Sequence, residues 1–330
     1  MSTSYYSPAW WLPGPHLQTL WGKLFRRQSL QPTRMERWDT PDGDFLDIHQ
    51  LDAHAGAPRL ILLHGLEGTI RSHYIQAFLG EARRRKWGGS VVIFRSCGGE
   101  INRTRRFYHS GETSDLDFAI ARIAASTPES PLVLAGVSLG GNVLLKFLGE
   151  RGSHIDPRIK AAAAVSVPYD LGLSSRRIDR GFSRVYQRFF LRSLKQKTVT
   201  KLRRFPDMVA ADRLVSIRTL FDFDDVLTAP VHGFRDADDY YTQSSSLQWL
   251  NRIRTKTLLL SSVDDPFLPP QVLDEVRKIA RGNKALQIEF SPRGGHVGFV
   301  GGRNPFNPLY YAEQRVGDFL AEQLRGDASV

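Results

Sequence analysis

Gly136-Val137-Ser138-Leu139-Gly140 sets a serine among small residues, directly after the apolar run Leu132-Val133-Leu134-Ala135 and directly before an amphipathic stretch. A sharp strand-to-helix turn at that place lifts a serine hydroxyl out of a sheet and exposes it to an acyl carbon. A packing turn accounts for the glycines but not for the serine. A nucleophilic serine needs a base and an orienting carboxylate, which in this arrangement follow as acid and then histidine on later loops. The apolar run Thr257 to Ser261 leads into Ser262-Val263-Asp264-Asp265-Pro266, and the run 285–290 leads into Ser291-Pro292-Arg293-Gly294-Gly295-His296. Of the nine histidines, His296 alone has that position. Asp265 is the expected orienting acid, since Asp-Pro-Phe-Leu-Pro gives an Asp-x-x-x-Pro spacing after the strand; Asp264 then caps or braces the loop. The developing oxyanion needs two backbone donors, expected at Leu139 and at Leu66 in His64-Gly65-Leu66. The base must be neutral, so activity is expected to rise between about pH 6 and 8.

These residues need a scaffold, and the hydrophobic pattern supplies one. Between 59 and 166, the continuous apolar runs Leu60–Leu63, Ser90–Phe94, Leu132–Ala135 and Ala161–Val167 alternate with helical patterns near 72–86, 115–125 and 139–149. Continuous apolar strands separated by helices indicate an α/β fold, with a mostly parallel central sheet covered by helices on both faces. Upstream, Arg34–Asp39 and Phe45–Leu51 flank Pro41-Asp42-Gly43 and read as an edge hairpin. The alternation stops at Pro168 and resumes at Thr257, with helices expected near 270–281 and 309–324. The whole chain, 1–330, therefore reads as one domain carrying a helical lid insertion over about 170–250.

Composition narrows the function classes. The chain has 330 residues, 41% hydrophobic and 24% charged, near the averages for a globular protein. A single cysteine, Cys97, excludes an internal disulfide and a multi-cysteine metal cage, and burial is its expected role. No dinucleotide-binding, P-loop or His-Glu-x-x-His pattern occurs, so no cofactor and no metal are expected. The first residues lack the charged and apolar regions of a signal peptide, and no apolar run approaches the roughly 20 residues that span a bilayer. The expectation is a cytoplasmic protein.

The formal net charge of +11 is concentrated. Residues 176–204 hold eleven Lys/Arg against one acid, Asp179. There Phe182, Val185, Tyr186, Phe189 and Phe190 recur at helical spacing, while Arg180, Arg184, Arg188 and Arg192 step every four residues. The first reading is a lid helix that packs its aromatics on the core and solvates its arginines; the second is a helix that docks on an anionic membrane. Nucleic acid is not an expected partner, because no binding module accompanies the charge. Trp10, Trp11 and Trp21 suit either core packing or lipid contact.

Seven stretches together resemble the YheT-like family of the α/β-hydrolase superfamily: Pro15–Thr19, His64–Gly68, Phe94–Asn102, Tyr108–Thr113, Gly136–Leu145, Asp264–Phe267 and Gly294–Phe299. The resemblance runs from residue 15 to 299 and implies an α/β-hydrolase fold and a serine hydrolase acting on carboxylic esters. Ser138 would be its nucleophile, His296 its base and Asp265 its orienting acid. The aromatic insertion favours an apolar acyl or lipid-like ester. The rival class is a non-catalytic hydrolase-fold protein that docks on anionic membrane. Arg95, Glu100, Arg103, His109 and Glu112 receive no role from the sequence; a pocket wall and an internal ion network are both open to them.

Overall fold

The computed structural model describes residues 6–26 and 29–326. Helix α1 (Pro15–Phe25) precedes a hairpin of β1 (Arg34–Asp39) and β2 (Phe45–Leu51), paired antiparallel through the Asp42-Gly43 turn. Next come β3 (Arg59–Leu63), α2 (His73–Arg84), β4 (Gly88–Ile93), α3 (Ser114–Ser126), β5 (Leu132–Val137), α4 (Leu139–Arg151) and β6 (Ile159–Val165). The intervening helices are α5 (Leu171–Ile178), α6 (Ser183–Leu202), α7 (Ala211–Ser216) and α8 (Leu220–Phe223). A π-helical turn (Asp224–Thr228), α9 (Ala229–His232) and α10 (Ala237–Ser244) complete that segment. The core then resumes with β7 (Lys256–Ser262), α11 (Pro270–Gly282) and β8 (Leu286–Ser291). The short pair β9 (Val300–Gly301) and β10 (Leu309–Tyr310) precedes α12 (Tyr311–Gly326).

The main sheet runs β1-β2-β4-β3-β5-β6-β7-β8, parallel from β4 onward and antiparallel at the β1–β2 edge. β4 and β5 are buried along their whole length, which is why their sequences are apolar without alternation. On β6, Ala161–Ala164 present methyl groups only, and α4 and α12 both pack against that strand. Burying a leucine-sized side chain contributes roughly 1.5–3 kcal/mol, and β3, β5, β7, α4 and α12 all feed one continuous core.

The question left open for Arg95, Glu100, Arg103 and Glu112 resolves as ion networks, whereas His109 lines a cavity. The Arg95 guanidinium, 3% exposed, bonds Asp115 at 2.6 Å, Asp42 at 2.8 Å and Asp44 at 2.9 Å. Asp44 in turn accepts from the Arg103 N–H at 2.7 Å and the Thr104 hydroxyl at 2.6 Å, and these bonds hold its carboxyl well below the usual range. The network ties the hairpin to the loop after β4. Glu112 pairs with Arg106, and Glu100 with Arg37.

The packing expected of the aromatic helix needs correction. Tyr186 and Phe190 do pack against Phe267 and Leu268, but Phe182, Val185 and Phe189 stay about half exposed. Helical spacing defined the apolar face without fixing what covers it. That face looks across a cavity toward α1 rather than onto the core. Arg180, Arg184, Arg188 and Arg192 are exposed, and Arg180 lies before the helix begins. Trp11 packs edge-on against Trp21 at 4.8 Å, while Trp10 is 79% exposed.

Candidate active site

Ser138 sits between the end of β5 and the start of α4 with φ 53° and ψ −120°, a strained conformation for a residue with a Cβ. Its N–H is held by the Val165 carbonyl at 2.8 Å, and its own carbonyl accepts from the Asn142 N–H at 3.1 Å. The flanking glycines are sterically required. A Cβ on Gly140 would stand 2.5 Å from the His64 carbonyl oxygen and 2.7 Å from that of Leu63. Close contact between α4 and the end of β3 therefore sets the position of the serine.

His296 comes to the serine from the loop after β8. Its Nε2 lies 3.0 Å from Ser138 Oγ, and its Nδ1 lies 2.8 Å from Asp265 Oδ2. Asp265 is 1% exposed, and its Oδ1 accepts from the Phe267 N–H at 2.8 Å, which fixes the rotation of the carboxylate. Asp264 points elsewhere: its Oδ1 accepts from the Gly295 N–H at 2.9 Å, so it braces the histidine loop. The Thr19 hydroxyl accepts from the His296 N–H at 2.9 Å, and the Phe267 ring lies 4.3 Å from the imidazole. The expected serine, histidine and aspartate thus converge from three loops in hydrogen-bonding order.

Leu139 occupies the first position of α4, where a backbone N–H has no intrahelical acceptor. In the loop after β3, the neighbouring N–H groups of Gly65 and Glu67 donate to the Tyr74 and Tyr108 hydroxyls, both at 2.9 Å. Among the described residues the Leu66 N–H between them has no partner. Both leucines line the same cavity as Ser138. His64 shapes this loop without facing the cavity. It accepts from the Phe94 N–H at Nε2, so its Nδ1–H donates to the Gly65 carbonyl at 2.8 Å, and burial lowers its pKa to about 4.

Glu67, which carried no signal beyond its place in His64–Gly68, joins this loop to the insertion. Its Oε1 accepts from Lys197 Nζ at 2.7 Å and from the Tyr108 hydroxyl at 2.8 Å, and Ser193 bonds its other oxygen. Cys97 lies 3.3 Å from the same ammonium, and burial pushes its thiol up to about 12, which removes it as a nucleophile at neutral pH. Lys197 and Ser193 are 130 and 126 residues away from Glu67, so no local pattern marks these contacts.

The cavity above Ser138 measures about 780 Å³, the scale of a small-molecule site. Phe182, Tyr186, Phe189, Phe190, Leu194 and Phe267 make much of its wall. Among the described residues no group of three or more His, Cys, Asp or Glu side chains is arranged to hold a metal ion, and no helix is long and apolar enough to cross a membrane.

Comparison with known proteins follows the same lines. A family profile described as "alpha/beta hydrolase fold" matches residues 58–302. The chain is 39% identical over 314 residues to "Putative esterase YheT" of Escherichia coli (strain K12), covering 94% of this chain and 91% of that protein. It is 29% identical to "Phospholipase ABHD3" of Homo sapiens, covering 94% and 77% of the two chains. It is 30% identical to "Monoacylglycerol lipase" of Saccharomyces cerevisiae, covering 81% and 60%. Among solved structures, the Pyrococcus furiosus esterase Pf2001 superposes with a TM-score of 0.59 at 15% identity, over 98% of this chain and 99% of that one. That likeness concerns the fold.

Proposed function

The chain belongs to the α/β-hydrolase family, and we propose that it is a serine hydrolase that cleaves carboxylic esters through an acyl-enzyme on Ser138. The observation that carries this reading is the continuous relay from Asp265 through His296 to Ser138, at 2.8 and 3.0 Å, ending at a cavity. His296 Nε2 takes the Ser138 hydroxyl proton as Oγ bonds to the acyl carbon. Asp265 stabilises the imidazolium that forms. The oxygen of the tetrahedral intermediate accepts from the Leu66 and Leu139 N–H groups. Collapse breaks the ester C–O bond, and His296 returns the proton to the leaving alcohol. Water then repeats the sequence through the same histidine and releases the acid.

The aromatic wall supports an apolar acyl or lipid-like substrate, in keeping with relatives named as a phospholipase and a monoacylglycerol lipase. Residues 170–250 act as a lid over that wall. The test is a 4-nitrophenyl ester series graded by acyl length, run on wild type and Ser138→Ala. Turnover that rises with chain length and falls on the order of 10⁴-fold in the variant is expected. Equal turnover by both proteins overturns the assignment.

Peripheral contact with anionic membrane has its own support. Leu17, Leu24 and Phe25 of α1 and Phe182, Val185 and Phe189 of the insertion form exposed apolar surface, with Arg180, Arg184 and Arg188 exposed beside it. Apolar side chains next to exposed cations suit such a surface. Replacing the three arginines by glutamine should weaken co-sedimentation with phosphatidylglycerol vesicles and leave neutral vesicles unaffected. Unchanged binding removes the idea.

A further inference from the structure

The cavity has a polar recess where α5, the π-turn and α10 meet. Asp224, Thr228, Tyr240 and Tyr241 line it. It is built onto the nucleophile's own helix. The Asn142 side chain, one turn after Ser138, donates to the Ser110 carbonyl at 2.7 Å, and the Ser110 N–H donates to the Tyr240 hydroxyl at 2.8 Å.

Asp224 is the unusual member. Buried carboxylates are ordinarily paired with a cation, because desolvating an isolated charge is expensive. Asp224 lies deep in the insertion yet keeps part of its surface open to the cavity. Among the described residues it has no ion pair. Its oxygens accept one neutral hydroxyl each: Oδ2 from Tyr241 at 2.7 Å and Oδ1 from Thr228 at 2.6 Å. A carboxylate has about four acceptor positions, so two remain. The two tyrosine rings, with centroids 5.1 Å apart, add π-faces that attract cations. The carboxylate also opens the π-turn, an irregularity that often accompanies functional positions.

We propose that Asp224 is the anionic floor of a subsite that takes an ammonium group carried by the ester substrate. The proposal deepens the ester-hydrolase reading and rests on it. It concerns charge at the end of the substrate and leaves the reaction at Ser138 unchanged. An N–H donor fills the free acceptor positions of Asp224 and supplies the missing positive charge, which a hydroxyl group does not. Burial pushes the Asp224 carboxyl up to about 6, so the subsite is anionic at pH 7.5 and neutralised near pH 5. The titratable groups packed nearby are Tyr240 and Tyr241 of α10, held protonated by burial, and His109 and His232, held neutral by it.

The experiment compares 4-nitrophenyl ω-aminoacyl esters with their ω-methyl isosteres at matched length, and 2-aminoethyl esters with propyl esters, at pH 7.5. The readout is the kcat/KM ratio of amino to methyl substrate, which cancels any general loss at Ser138. In the best-fitting pair, Asp224→Asn should lower that ratio about 10- to 100-fold. Tyr241→Phe, which removes one competing donor and keeps the charge, should raise the ratio and serves if the asparagine variant does not fold. Butylammonium binding by calorimetry, to Ser138→Ala with and without Asp224→Asn, reads the subsite without turnover. Hydrolysis of methyl esters with ratios indifferent to both variants overturns the subsite and leaves the hydrolase standing. Ammonium binding that requires Asp224 in a protein that cleaves no ester overturns the hydrolase reading instead.

Discussion

Asp265→Asn should disable the site through proton placement, with little effect on the fold. The Phe267 N–H donates to Oδ1 at 2.8 Å, so an asparagine must keep its oxygen there and turn its NH₂ toward His296. The imidazole Nδ1 must then accept a hydrogen bond. Its proton moves to Nε2, the atom that has to take the proton of Ser138 3.0 Å away. Reaction requires the other tautomer, with two donors opposed in a buried site, and the imidazolium loses its counter-ion. A charge pair near 4 Å at an effective dielectric of 20 is worth about 4 kcal/mol, and a charge-assisted hydrogen bond adds roughly 1.5–3 kcal/mol. Because these terms overlap, the expected loss is about 5.5 kcal/mol, on the order of 10⁴-fold in kcat. Asp264→Asn keeps an amide oxygen for the Gly295 N–H and gives up only the charge behind that bond, so it should cost less than about 30-fold. The assay is turnover of the best 4-nitrophenyl ester at pH 7.5, with urea midpoints to verify folding. Asp265→Asn retaining activity within 10-fold, or Asp264→Asn losing as much as Asp265→Asn, would refute the reasoning.

Gly140→Ala should destabilise the protein by about 2–3 kcal/mol and depress turnover, since its methyl meets only backbone of residues 63 and 64. Wild-type urea stability would show that α4 can shift freely. The Asp224 carboxyl titrates near 6 when folded and near 3.8 when unfolded, so the native state holds the extra proton between those values. Its contribution is therefore full below about pH 4 and is lost as pH rises to about 6, by up to about 3 kcal/mol. Unfolding curves at pH 4.5 and 6.5 should show about 2 kcal/mol of this loss in wild type but not in Asp224→Asn; parallel behaviour of the two proteins contradicts it.

The sheet was legible because β3, β4, β5, β6 and β7 are buried and therefore apolar almost throughout. Strand ends moved by a residue or two, and α12 starts at Tyr311 because Leu309 and Tyr310 pair with β9. Ser138, Asp265 and His296 were legible as a set because each lies in the turn or loop that follows a strand of the sheet. Long-range contacts were not. Glu67 meets Lys197 only after the insertion folds back, and Asp224 sits in a segment whose sequence carries no strand rhythm. Phe182, Val185 and Phe189 left core packing and membrane docking both open, because period 3.6 marks one side of a helix whether that side faces core, cavity or bilayer.

The most direct test of the central claim is labelling of the folded protein by a fluorophosphonate probe, with Ser138→Ala and His296→Ala as partners. The account requires wild type to be labelled at Ser138, with labelling lost in the serine variant and strongly slowed in the histidine variant. Labelling of Ser138→Ala at the wild-type rate, or an unlabelled wild type that also cleaves no ester, would contradict it.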